Sequence, residues 1–548
     1  MISWNRKLII CYIIILVSVI CTVKGISAFA STHKHPKRQS DTILMNSQPL
    51  EDNVQRIVLI GGGHAHVQVI KALNKHSRPS NIHVTLIDLQ SNVTYSGMVP
   101  GCVAKLYNLN QTKIALDLLA EWSDIEFICG KVVGMSFDND GKKIVLVEVE
   151  EEYGGTTKKK ESIQFDVVSV DIGSTTRLHT SLPGAKQYTI STRPISDLVL
   201  RIQQEEGEMI KKQPNEDQVV VVGGGAAGVE LSLAIRARWN DLLDSKTSIT
   251  LIDSSDVLLS SETDACRSAL QSIVKKYNIN VRNNLMVDEV TSTHIHVKST
   301  NSDNDGKRTH EKIPYSHCIW ATGAEAHTLS FDLNKQIGLD ISNRGWIRVN
   351  KHMQSLSHPS IFAAGDCCEI IDDKKSPPKA GVYAVRSGPI LIENLIRYLD
   401  TKSNTKRSEL VTYNPQDDFL KLIMCGDGTV LGFRFGIPIY GKWVWKLKDH
   451  IDTMFMDLFD VNKLPKYNEE EGTELDLAQY DAYETAKEQM KVEDAAKLLL
   501  RRDDDVDYQT AWSVIREMNT DEDYRKEVLR IMNDSPDIWW QIRHSNYS

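Results

Sequence analysis

The sequence predicts an α/β fold built on two βαβ units, because it carries two glycine-rich turns of the same plan, each led by an apolar run and followed by a strand that ends in an acid. Gln218 to Leu231 reads QVVVVGGGAAGVEL, and Arg56 to Val69 reads RIVLIGGGHAHVQV. A continuous apolar run of this length is the signature of a buried parallel strand. In the second unit Gly223 allows the tight bend, Gly225 lets backbone approach a pyrophosphate, and Gly228 removes the Cβ where helix and strand touch. Glu230 stands on the first turns of the helix, whose N-terminal N–H groups favour phosphate. The following strand, SITLID, ends in Asp253, placed to take both ribose hydroxyls of a dinucleotide. A carboxylate there repels a 2′-phosphate, so NADH is expected rather than NADPH.

In the first unit Gly61 and Gly63 fill the first two glycine positions, with His64 beside them, but His66 stands where a small residue is expected. The rest of the unit follows the plan: an amphipathic helix over 66–75, then the strand IHVTLID ending in Asp88, again at the ribose position. His64 and His66 have no third partner nearby, so a structural or phosphate-side role is expected and no metal site. Next comes YSGMVPG, residues 95–101, a small-residue loop in which Gly97 and Pro100 let a flat ring lie against backbone. A helix is expected over 111–121, strands near 125–128, 143–149 and 165–170, and a solvated hairpin tip over 150–161.

A chain of 548 residues implies several domains. Its net charge of -9 is uneven: residues 467–548 hold 21 acids against 10 bases, which leaves about +2 for the remainder. Charge therefore gives no support to nucleic-acid binding. The nine cysteines are scattered, with no CxxC and no zinc spacing, which excludes a disulfide scaffold, and the adjacent Cys367 and Cys368 read as packing residues.

Residues 1–53 read as a presequence: a basic start, an apolar core from Leu8 to Val23, then SAFA and a basic, hydroxylated stretch. The SAFA junction resembles the cleavage point of bipartite plastid presequences, which implies a plastid destination; secretion or a membrane anchor is the alternative.

Later segments return to the first unit. IWATG, residues 319–323, resembles the segment that closes the NAD domain of pyridine nucleotide-disulfide oxidoreductases, with Thr322 and Gly323 at its turn. SIFAAGDC, residues 360–367, resembles their flavin-side turn, which assigns Gly365 and Asp366 to the ribityl chain. KAGVYAVRSG, residues 379–388, resembles the helix facing the flavin pyrimidine and assigns Ala380 to it. The resemblance implies FAD and NADH as cofactors and a NAD domain over 211–320 inserted between two parts of an FAD domain, 54–210 and 321–400. A C-terminal interface domain over 401–466 and an acidic helical extension over 467–548 complete the chain.

Within that superfamily the chain resembles type II NADH dehydrogenases, and especially the flavoprotein module fused ahead of selenide, water dikinase in some bacteria, which shares GGGHAH, YSGMVPG and the AVRSG helix. Only Cys102 stands where disulfide reductases carry a pair, so a dithiol relay is not expected. Val382 and Arg386 replace the two glutamines that type II enzymes present to quinone. Arg386 is the candidate for stabilising charge on the reduced flavin.

The function implied is hydride transfer from NADH to FAD and onward to an acceptor, most simply a quinone. The alternatives are a soluble reductase of another acceptor, protein or small molecule, and a low-turnover redox-sensing flavoprotein. An antiparallel sheet is expected over 411–435. Residues 436–459 set Trp443, Trp445 and Phe455 among lysines, a pattern suited to a peripheral membrane contact or to packing. The acidic tail is a candidate for docking a protein partner.

Overall fold

A computed structural model describes residues 54–138, 141–150, 158–212, 218–242, 249–302, 306–372, 376–400, 409–466, 490–501 and 506–534. The presequence lies outside these residues, as do residues 467–489 and 535–548 of the tail.

Two five-stranded parallel sheets organise the molecule. In the first, the spatial order is Ile361–Ala363, Val167–Val170, Gln55–Ile60, Ile82–Asp88 and Glu126–Cys129. In the second it is Ile190–Ser191, His317–Trp320, Val219–Val222, Ile249–Ile252 and Ile279–Arg282. All of the second sheet lies between Val170 and Ile361 in the chain, so the second domain is inserted into the first. The four valines of Val219–Val222 are all buried, as their unbroken apolar run requires. Each sheet carries an antiparallel three-stranded sheet of its own, Lys131–Phe137, Lys143–Glu150 and Lys158–Phe165 on the first and Leu285–Val290, His294–Ser299 and His310–Pro314 on the second.

Several boundaries shift. The first βαβ helix is His66–Ala72 and the next Leu116–Ser123. The strand Lys158–Phe165 takes up part of the expected hairpin tip. Helix Ile195–Lys212 and strand Lys131–Phe137 were not anticipated; the expected helical extension contains Val492–Leu500, Tyr508–Thr520 and Glu522–Asp534. The 95–101 segment is not an open loop: it winds into a 3-10 turn, Ser96–Met98, and a short helix, Val99–Val103, with Pro100 near its start, where a missing N–H costs nothing.

The C-terminal sheet is Lys421–Met424, Val430–Arg434 and Ile437–Gly441, followed directly by helix Lys442–Asp457. Trp443, Val444 and Leu447 of that helix are completely buried against the sheet and the tail helices Val492–Leu500, Tyr508–Thr520 and Glu522–Asp534. Trp443, Leu447 and Phe455 are thus interior and Trp445 is half-buried, so much of the amphipathic pattern here serves packing. Among the described residues no helix is long and apolar enough to cross a membrane.

Candidate active site

A cleft of about 600 Å³ runs along the carboxyl ends of the first sheet. Gly61, Gly63, His64, Asp88, Asp366 and Ala380 line it, six of the residues expected at FAD. At Gly61, φ is +88° and a Cβ would overlap the Asp171 carbonyl, so no other residue fits this turn. A side chain at Gly63 would overlap the Asp171 carboxylate.

Asp171, which sequence reasoning passed over, governs this turn. Its Oδ2 accepts from the N–H groups of Ala65 (2.9 Å) and His66 (3.3 Å), the first turn of helix His66–Ala72. Burial pushes its carboxyl up to about 7, against the pull of those two N–H groups. Asp88 accepts from Gly62 N–H at 2.7 Å and Gln90 N–H at 2.9 Å. The Leu89 N–H also bonds this carboxylate, and since a carboxylate has about four lone-pair sites, it keeps acceptor capacity for a ribose hydroxyl. The helix N-terminus expected to be open to phosphate is therefore partly capped by the protein's own acids.

A cation in the cleft, also unanticipated, is Arg193. It follows strand Ile190–Ser191 of the second sheet, and its guanidinium reaches Asp366 at only 3.5 Å, while Ser174 Oγ donates to the same carboxylate at 3.0 Å. Burial depresses the Arg193 pKa, with Asp366 opposing. Lys379 lines the same cleft. Glycine turns with no room for side chains, an acid at the end of the second strand, and a buried cation with one distant partner fit a bound dinucleotide of the FAD type.

Four expected flavin residues sit elsewhere. Gly97 and Pro100 belong to the turn and helix described above; Pro100 is buried away from the cleft, and Gly97 contributes its carbonyl to Lys448. Gly365 lines a smaller neighbouring cavity, and Gly323 accepts from Arg177 N–H in an exposed turn. Arg386 is exposed, lies outside the cleft lining and stands near Arg434, whose pKa burial lowers and Arg386 lowers further.

The second glycine loop keeps an open helix end. Helix Ala226–Arg238 begins after Gly225 with no side-chain cap, and Gly225, Ala226 and Ala227 are exposed. Gly223 has φ +118°, and a Cβ on Gly228 would overlap the Gly223 carbonyl. Asp253 stands beside Gly224, and the Thr322 hydroxyl donates to the Arg177 carbonyl. Gly223, Gly225, Gly228, Asp253 and Thr322 thus border one anion-ready helix end.

Glu230 does not. Its Oε1 accepts from Met424 N–H at 2.9 Å, and it faces the C-terminal domain. Burial raises its carboxyl to about 7, with Lys448 as the chief opposing charge and Asp452 reinforcing the shift. Lys448 Nζ donates to Gly97 O and to Asp452 Oδ2, both at 2.8 Å, and the Tyr95 hydroxyl also donates to Asp452. Phe455 stacks on Tyr95 with ring centroids 4.6 Å apart, and both rings approach His64. His64, Ser96 and Gly381 close this end of the cleft, where burial lowers the His64 pKa to about 4 and keeps its ring neutral.

Cys102, Cys367 and Cys368 are buried free thiols whose pKa values burial raises, so none supplies a reactive thiolate.

Comparison with known proteins agrees with this geometry. The demethylphylloquinone reductase NdbB of Synechocystis sp. is 24% identical over 328 residues, covering 58% of this chain and 73% of that protein. Human ferroptosis suppressor protein 1 is 23% identical over 402 residues, 72% of this chain and 93% of that one. The structure of NDH2 from Plasmodium falciparum in complex with NADH superposes with a TM-score of 0.61 at 16% identity, over 75% of this chain and 97% of that one. Residues 55–388 match the pyridine nucleotide-disulphide oxidoreductase family, and the chain belongs to it.

Proposed function

We propose that the chain is an FAD-dependent NADH:quinone oxidoreductase. FAD, when bound, supplies hydride acceptance from NADH and release of electrons to the acceptor. The open helix end at Gly225 holds the NADH pyrophosphate, and Asp253 takes its ribose. The cleft around Gly61, Asp88, Asp366 and Arg193 holds FAD. Quinone-reducing relatives support the choice of acceptor.

The observation that carries the reading is the position of Glu230. It rides on the helix that begins at the NADH loop, yet its carboxylate accepts from Met424 N–H and lies within electrostatic reach of Lys448 and Asp452 behind the flavin cleft. A quinone takes up two electrons and two protons, whereas NADH delivers one hydride. A second proton is therefore needed, and a half-buried carboxyl whose pKa desolvation raises to about 7 is matched to supply it at neutral pH.

Glu230→Gln tests this. Flavin reduction by NADH is expected to stay within about twofold, while reoxidation by a soluble quinone slows by about a hundredfold and loses its pH dependence near 7. Unchanged reoxidation would exclude Glu230 as the donor, and reoxidation by dyes but by no quinone would exclude the acceptor.

A further inference from the structure

Helix Lys442–Asp457 lies between two things that otherwise have nothing in common. On one face, Trp443, Val444 and Leu447 pack with Ala495, Ala511 and Val514 of the tail bundle. Trp443 Nε1 donates to Arg501 O at 2.8 Å, and the His450 ring meets Tyr508 with centroids 5.5 Å apart. On the other face, Lys448 holds Gly97 O and Asp452, and Phe455 stacks on Tyr95. Lys448 is five residues on from Trp443, roughly 140° round the helix at 3.6 residues per turn. Trp443, Leu447 and His450 therefore share one edge of the helix and Lys448, Asp452 and Phe455 another, with Val444 between them, and any shift of the helix under the bundle is passed to the Tyr95–Gly97 turn.

The bundle lies wholly beyond residue 388, where the family match ends. It is an apolar interface rather than a loose tether: Ala495, Ala511 and Val528 are fully buried, and Val514 is nearly so. Packed interiors do not yield continuously, so such a contact fixes one helix position.

We propose that the bundle of helices Val492–Leu500, Tyr508–Thr520 and Glu522–Asp534 is a positioning strut for the acceptor half of the reaction. It sets the depth of helix Lys442–Asp457 and, through Lys448, the Tyr95–Gly97 turn that closes the acceptor end of the cleft. The inference rests on the NADH:quinone reading. NADH binds at the far loop, Gly223–Gly228, which the bundle does not touch, so the strut separates the two half-reactions.

The test uses the full chain and two substitutions. Ala511→Arg forces a charge into the interface and unseats the bundle; Trp443→Phe keeps an aromatic side chain but deletes the bond to Arg501 and part of the buried indole's packing. Stopped-flow measurements follow flavin bleaching by NADH, then reoxidation by a short-chain quinone. Flavin content and NADH bleaching are expected within about twofold of the parent in both. Reoxidation is expected to fall by about ten- to a hundredfold in Ala511→Arg, the scale of a misplacement near 1 Å, and by about threefold in Trp443→Phe. Unchanged reoxidation in Ala511→Arg, with the bundle shown by proteolysis to be released, would overturn the strut. Equal loss in both half-reactions would also overturn it, by showing the bundle to be general support. Failure of the parent itself to bleach with NADH would instead overturn the underlying reading.

Discussion

His66 occupies a fingerprint position that ordinarily demands a small side chain, and the fold accepts it by turning the ring inward. Its Nδ1 donates to Gly61 O at 2.6 Å and its Nε2 accepts from Ser169 Oγ at 2.8 Å, so the neutral ring satisfies both nitrogens and pins the glycine turn to the neighbouring strand. The sequence showed the departure but not its reason, because Ser169 lies 103 residues away. Burial lowers the His66 pKa from 6.5 to about 4. Below pH 6.5 the unfolded chain takes up a proton that the folded one refuses, so this contribution is whole above about 6.5 and is lost as pH falls toward 4. It amounts to about 3 kcal/mol. The melting temperature of the parent should therefore drop between pH 7 and pH 5, and less so in His66→Gln, whose amide does not titrate in this range; equal pH slopes would contradict the assignment. Asp171 was missed for a related reason: a lone aspartate before Gly173 carries no motif, and its role appears only when its strand lies beside the first.

The connector between strand Ile190–Ser191 and helix Ile195–Lys212 illustrates what elements hide. Helix Ile195–Lys212 is strongly amphipathic in hindsight, but its importance is that it brings Arg193 from the second sheet into the cleft of the first. The expected flavin-side cation, Arg386, sits on helix Gly381–Asp400 but faces outward. Periodicity gives a helix's existence more readily than its rotation, and a pair such as Arg193 and Asp366, 173 residues apart, is invisible to it. Arg193→Ala is expected to weaken FAD binding to the apoprotein about ten- to a hundredfold, the worth of a hydrogen bond to a charged group, with Arg386→Ala within about twofold. The reverse order in a fluorescence titration would return the role to Arg386. Helix Lys442–Asp457 makes the same point differently: aromatics and lysines on one helix suit a lipid surface or an interior equally, and only the seated tail decides that Trp443 is core.

At the scale of the molecule, the two parallel sheets and both acid-terminated second strands were legible because glycine turns and apolar runs are local signals, while their nesting came from the family resemblance. The parts contributed by distant chain were not. Residues from the first unit (His64, Tyr95), the inserted domain (Glu230) and the C-terminal helix (Lys448, Asp452) meet at one end of the cleft, and no spacing in the sequence foretells that convergence. The arrangement explains why the insertion is useful: a helix that starts at one dinucleotide loop ends its first turns beside the other site. It also explains why four expected flavin glycines and prolines became scaffold, since their segments wound into helix or turned away.

The most direct measurement is the anaerobic absorbance spectrum of the purified protein before and after one equivalent of NADH. The account predicts a flavin spectrum at the start, bleached within seconds by NADH and restored by a quinone. A colourless protein that takes up no added FAD, or a flavin that NADH leaves oxidised, would contradict it.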